Sequence, residues 1–239
     1  MIKPPTESRP IPAPPRAVAI SGILFSVLFI ISLILVRASV PADPADPGNW
    51  LADPAFRNGV RSALNLVPFT GIAFLWFMAV LRNRIGSQED RLLATVFLGS
   101  GLLFVAMLFA GTALSRAMLE SFSNGISDDN DTYRVGRRMT YELINTFGMR
   151  MVAVFMFVTS TIGLRTGALS RGISIVGYLF GLILLLTITS FAWIALLFPL
   201  WALLVSSYIL ISDIQQRHGL DASHHISQSL QPISTDQTP

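Results

Sequence analysis

Cysteine is absent from the 239 residues, lysine occurs once at Lys3, and the three histidines (His218, His224, His225) all lie near the C-terminus. Each absence removes a chemistry. Without cysteine there is no disulfide framework, thiolate metal site or redox pair. A retinal-type Schiff base would need a buried lysine, and haem axial ligation, a Ser-His pair or a zinc motif would need histidine within the apolar segments. Charge is also scarce: 13% of residues are charged, where a soluble domain carries about 25%. The formal net charge of +3 is too small for the basic stripe of a nucleic-acid binder, so no nucleic-acid partner and no cofactor is expected.

What is present is apolar, 52% of the chain, gathered into long runs that fit a lipid environment. The fold class read from these runs is all-α, a polytopic transmembrane helical bundle of six spans, at about 17–36, 64–81, 92–114, 143–164, 173–189 and 191–211. Residues 1–16, with six prolines, read as a disordered tail, residues 17–211 as the membrane domain, and residues 212–239 as a disordered polar tail. The first run is 20 residues free of charge, about 30 Å of helix, which is too long for the core of a cleaved signal peptide and is expected to be retained.

The connections have their own grammar. Ala-Asp-Pro occurs three times, at 42–44, 45–47 and 52–54. The last copy offers Asp53 as an N-cap and Pro54 as the first helical residue, predicting an amphipathic helix that runs into span two. Trp50 is expected near the headgroups, and Pro68 is expected to bend span two near its beginning. Ser87 and Asp90 form a capping-box pattern before span three. In span four the uninterrupted apolar stretch 151–164 has 14 residues, about 21 Å, which cannot cross a core of about 30 Å. The helix must extend backwards through Arg150, Thr146 and Asn145 towards Glu142. Residues 173–211 carry no charge over 39 residues, too long for one span, and are read as two spans with a turn at Thr187, Thr189 and Ser190. Trp193 then anchors the interface and Pro199 kinks span six.

Six spans place both ends of the membrane domain on one side. The two short connections hold Arg82, Arg84, Arg91, Arg165 and Arg171, and short basic loops stay cytoplasmic, so both termini are expected in the cytoplasm.

At the opposite face, polar residues recur in steps of four. Arg57, Arg61 and Asn65 enter span two. Thr112, Arg116 and Glu120 leave span three, and Arg134, Arg138, Glu142, Thr146 and Arg150 enter span four. Such steps keep neighbouring side chains on one helical face. Facing each other, the three ladders would make an extracytoplasmic arginine-lined pocket for an anionic lipid or small anion. Facing outward, they would snorkel or pair within each helix. Arg150 lies deep enough to need a partner, for which Asn65, Thr112, backbone carbonyls or a ligand are available. Gly177 and Gly181 allow close helix approach, inside this chain or in a homo-oligomer. Asp128, Asp129 and Asp131 lack the glycine of a calcium loop and fit a helix N-terminus instead, so no metal site is expected.

The stretch PFTGIAFLWFMAVLRNRIGSQEDRLLATVFLGSGLLFVAM, with RTGALSRG and LLFPLWALLVSSYIL, resembles multi-pass integral membrane proteins of unknown function from actinobacteria and related bacteria. The resemblance implies a bacterial inner-membrane location and brings no activity with it. Three function classes follow, in order. The first is a non-enzymatic accessory or scaffold protein. The second is a small carrier or lipid- or anion-binding protein using the arginine pocket. An enzyme comes last, because only one intramembrane carboxylate, Glu142, is on offer and acid-base chemistry lacks a pair. Beyond the lipid bilayer itself, the candidate partners are an anionic lipid or small anion and a second copy of the chain.

Overall fold

A computed structural model describes residues 15–41, 48–85, 91–123, 130–186 and 193–229. The described residues form seven α-helices and no strand: α1 (Pro15–Ser39), α2 (Pro54–Ile85), α3 (Arg91–Ser123), α4 (Asn130–Tyr141), α5 (Met149–Thr166), α6 (Arg171–Leu186) and α7 (Leu197–Ser229). A 3-10 turn at Asn49–Ala52 precedes α2, and a π-helical segment, Glu142–Gly148, joins α4 to α5 without a break.

Five segments are long and apolar enough to cross a membrane: Ala19–Ser39, Pro54–Asn83, Arg91–Phe122, Tyr133–Thr166 and Ile194–Ser212. The chain is therefore an all-α membrane-type bundle. Within the described residues the fifth predicted crossing is represented by α6, 16 residues, about 24 Å of helix, and residues 187–192 that follow it lie outside the described residues. The proposed turn at Thr187, Thr189 and Ser190 lies outside the described residues, as do the Ser87–Asp90 box and Asp128 and Asp129. Span four extends backwards as the length argument required, through Arg150, Thr146 and Asn145 to Tyr133.

Asp53 Oδ1 accepts a hydrogen bond from the Ala55 N–H at 2.8 Å, so the cap-plus-proline signal starts α2. Pro68 stands inside α2 without interrupting it. Pro199 is not mid-helix. It is the third residue of α7, in the first turn, where the N–H that proline lacks would have no intrahelical partner. At the far end α7 runs to Ser229, so residues 212–229, expected as an unstructured tail, continue the helix. Gly167, at φ 70°, closes α5 in the left-handed conformation.

The five spanning segments and α6 form a closed ring. α1 packs on α2, α2 on α3, α3 on α5, α5 on α6, α6 on α7, and α7 returns to α1. The centre of the ring is aromatic. Phe25, Phe74, Phe104, Phe155 and Phe198 come from α1, α2, α3, α5 and α7 and are all fully or almost fully buried. Phe74 alone lies 5.1 Å from Phe25, 5.3 Å from Phe104, 5.2 Å from Phe155 and 5.7 Å from Phe198, between ring centroids. Most of these pairs are tilted or edge-on, the arrangement that ring quadrupoles favour.

α6 gives the centre no ring and approaches through glycine instead. A β-carbon on Gly177 would stand 2.1 Å from Ser160 Oγ and 2.7 Å from Trp201 Nε1, and one on Gly181 3.2 Å from the Ala153 carbonyl. Both glycines thus serve contacts within the chain, α6 against α5 and α7. Between hydrocarbon-clad helices there is little hydrophobic gain on association, so such close approach carries the packing.

Candidate ligand-binding cavity

α2, α3 and the continuous α4–α5 rod have lengths of 32, 33 and more residues, about 48 Å and upward. They overshoot a hydrocarbon core and build a crown at the end where α1 stops, α2 starts and α4 begins. Several polar contacts tie the crown together. Trp50 Nε1 donates to Tyr133 Oη at 3.0 Å. Arg137 donates through Nη2 to the Pro41 carbonyl at 2.7 Å and through Nη1 to Tyr133 Oη at 3.4 Å. Arg57 donates from its guanidinium to the carbonyls of Leu51 and Ala52, pinning the 3-10 turn to α2. Gly48 sits at φ 90°, and a β-carbon there would meet the Tyr133 ring at 2.7 Å, so backbone conformation and space both require glycine. Leu51, Leu119 and Tyr133 form a small apolar cluster beside Trp50.

The Trp50–Tyr133 bond joins residues 83 apart in sequence. Trp50→Phe is expected to lose about 0.5–1.5 kcal/mol of stability, the net worth of one such bond. In a double-mutant cycle with Tyr133→Phe, measured by denaturant unfolding in micelles, the two losses should be clearly less than additive. Strict additivity would mean that the pair is not coupled.

Under this crown lies a partly enclosed cavity of about 210 Å³. Its walls come from α1, α2, α3, α4 and the π-helical segment. Most of the lining is apolar, including Phe29, Leu33, Val36, Leu64, Val67, Leu108, Ile144 and Met149, with Ala195 beside them. Thr70, Thr112 and Ser115 also line it, but their hydroxyls are occupied by carbonyls one turn back on their own helices. Polar atoms without such partners are more informative. Ser32 Oγ, Arg37 Nε and Thr140 Oγ1 are buried, and none has a hydrogen-bond partner among the described residues. Arg37 and Arg137 are the two arginines in the lining; among the described lining residues there is no aspartate, glutamate or histidine. Arg37 lies close enough to Tyr141 and Arg137 to interact electrostatically with both. Below the cavity, Phe29 is in contact with the aromatic centre through Phe25, Phe104 and Phe198, so the cavity ends on a floor of packed rings.

The step-of-four ladders are distributed otherwise. Thr112 is buried in the cavity wall. Arg57 is half-buried and holds the turn. Arg61, Asn65, Arg116, Arg134, Arg138 and Glu142 are exposed on the outside of their helices, and Glu120 is exposed as well. Thr146 and Arg150 are half-buried, and Arg150 Nη1 donates to the Thr146 carbonyl at 3.1 Å, taking the backbone-carbonyl option. The three ladders therefore do not converge on one pocket. Geometry explains why: four residues advance about 400° around an α-helix, so each step drifts about 40°, and four steps from Arg134 to Arg150 turn through about 160°. The π-helical segment adds a further shift. Its signature is the Met149 N–H, which bonds to the Ile144 carbonyl five residues back.

The arginines that do reach the cavity were passed over in the sequence for definable reasons. Arg37 follows the first apolar run and reads as the start of a loop. Yet the buried face of α1 passes through Phe25, Phe29 and Ser32, and extending that stripe by i+4 from Leu33 arrives at Arg37. Arg137 is the immediate neighbour of Arg138 and lies off the ladder. On α4 it shares the inward side with Tyr133 and Thr140, leaving Arg134, Val135, Arg138 and Met139 outside. Among the described residues no cluster of His, Cys, Asp or Glu could hold a metal ion. Compared with protein-family models, curated proteins and solved structures, the chain matches none of them.

Proposed function

We propose that this protein is a non-enzymatic, multi-pass protein of a bacterial cytoplasmic membrane that holds a lipid-like ligand in the crown cavity. The observation that carries the reading is the cavity itself, an apolar chamber with a few polar groups in its wall, Arg37 and Arg137 among them. Ligand sites are typically mostly apolar with a few polar groups that fix orientation. An accessory or scaffold role would use the same fold, but it leaves this chamber without a purpose. The floor of packed rings favours retention of a ligand over its passage through the bundle.

The orientation follows from the arginines. Five of them sit in the short connections at the end opposite the crown, which supports cytoplasmic termini and a cavity on the outer side of the membrane. The sequence argues against an enzyme, since it lacks cysteine and its histidines lie at 218, 224 and 225, so neither residue type is available in the spans for a nucleophile-base pair.

Filling the chamber tests the reading. Val67→Phe and Thr112→Leu add bulk to its wall on α2 and α3 and should keep or raise the melting temperature. The same variants, purified in mild detergent and weighed by native mass spectrometry, should lose a co-purifying lipid that the unmodified protein retains. Equal lipid occupancy in folded variants would refute a cavity-bound ligand.

A further inference from the structure

We infer that the ligand of this cavity is a single-chain amphiphile with an anionic oxygen head, a carboxylate or a phosphate monoester, seated between Arg37 and Arg137 with its chain running down α1 towards Phe29. The inference rests on the proposal that the cavity is a ligand site and adds the chemistry of its occupant.

Three observations point the same way. The first is charge. The permanently protonated guanidinium of Arg37 lines the chamber near enough to Arg137 to interact with it, and no described lining residue supplies a carboxylate to Arg37. Guanidinium forks match carboxylate and phosphate oxygens in shape as well as charge. The second is hydrogen bonding. Arg37 Nε and Thr140 Oγ1 are buried without partners, whereas buried polar groups are normally satisfied. Both groups can donate, which suits an acceptor-rich head. Arg137 is meanwhile anchored on the Pro41 carbonyl and Tyr133, which holds one side of the seat in place.

The third observation is size. From Arg37 to Phe29 is eight residues, about 12 Å along the helix axis, and the wall over that length includes Leu33, Leu64 and Val67. The volume of about 210 Å³ is only moderately above the roughly 150 Å³ cavity that takes one benzene. That space takes the head-proximal part of one acyl chain, about eight carbons on the same scale, with the rest leaving through the open side of the chamber, and it leaves no room for a second chain.

A head-group series on the unmodified protein decides the matter. In nanodiscs of phosphatidylcholine, displacement of a fluorescent fatty acid would be measured for dodecanoate, dodecyl phosphate, dodecanol, dodecyltrimethylammonium and inorganic phosphate. Dodecanoate and dodecyl phosphate should displace the probe at least tenfold more strongly than dodecanol, and inorganic phosphate alone should fail. Arg37→Gln should abolish that preference, read as the ratio of dodecanoate to dodecanol affinity, and Arg37→Lys should restore part of it. Whichever anion binds more tightly tells a fatty acid from a phosphate-headed lipid. Dodecanol or the trimethylammonium compound binding as well as the anions would overturn the anionic head but leave the cavity reading intact. Inorganic phosphate binding as tightly as the amphiphiles would overturn the chain. If neither the probe nor any of the amphiphiles binds, the cavity reading itself falls. The head-group series itself is read on the unmodified protein and does not depend on a variant that folds.

Discussion

Phe74→Ala is expected to destabilise the bundle by about 2–3 kcal/mol. The substitution removes roughly 100 Å³ from a fully buried position, and cavity formation costs about 24 cal/mol per Å³. The transfer contribution that would raise this figure in a soluble protein is small here, because lipid is as apolar as the core. What is lost is dispersion contact with Phe25, Phe77, Phe104, Phe155 and Phe198, all of whose rings lie within 6.4 Å of Phe74. Reversible unfolding in mixed micelles, with SDS as denaturant, would give the number. Phe69→Ala, five residues away but 62% exposed, is the matched control and should change stability by less than about 0.5 kcal/mol. Equal effects at the two positions would mean that the ring of helices is not held by its aromatic centre.

The second large effect is expected at Gly22, where α1 meets α2 and α7. A β-carbon there would come within 1.9 Å of Ser206 Oγ and 2.8 Å of the Phe77 ring. Gly22→Val should therefore prevent native assembly or cost about 3 kcal/mol, the upper part of the range for overpacking. Gly22→Ala should be milder, since it adds a single carbon and the serine hydroxyl can turn away from it. The coupling is specific: Gly22→Ala combined with Ser206→Ala should recover part of the stability lost in Gly22→Ala alone. Gly99, which has no atom within 4 Å of its β-carbon position, should accept alanine with no loss. Thermal unfolding monitored by size exclusion after heating would rank all four variants.

The bundle was legible in the sequence because the membrane imposes long, charge-free runs whose lengths can be counted. The same arithmetic found the hidden half of span four, since 14 apolar residues cannot cross and the chain had to continue backwards. For the span expected at 173–189, the described helix α6 covers Arg171–Leu186, and the expected turn after it lies outside the described residues. The expectation of a tail at residues 212–229 failed: polarity marks the end of a span but not the end of a helix, and α7 continues to Ser229. The cavity was half legible. That arginines gather at the crown end is plain from their positions, and Thr112 lies in the cavity wall. Which arginines turn inward depends on angular drift over several turns and on a π-helical segment, and strict steps of four cannot record either. Gly177 and Gly181 were legible as a close-approach motif, while their neighbours Ser160, Trp201 and Ala153 follow from the way α6 lies against α5 and α7.

Closure of the helix ring has a bearing on biosynthesis. α1 emerges well before α7, yet the two pack together, with Gly22 against Ser206 and Phe25 against Phe198 at 5.2 Å. Contacts so distant in sequence form late. A nascent chain halted after α6 would have α1 and α2 paired while Phe25 and Phe74 still lacked the Phe198 ring, leaving one side of the aromatic centre towards lipid. Completion of the core, and with it the floor of the cavity, is thus tied to insertion of the final span. A ribosome-stalled intermediate lacking α7 should be recognisable by protease susceptibility at the crown long before any ligand could be held there.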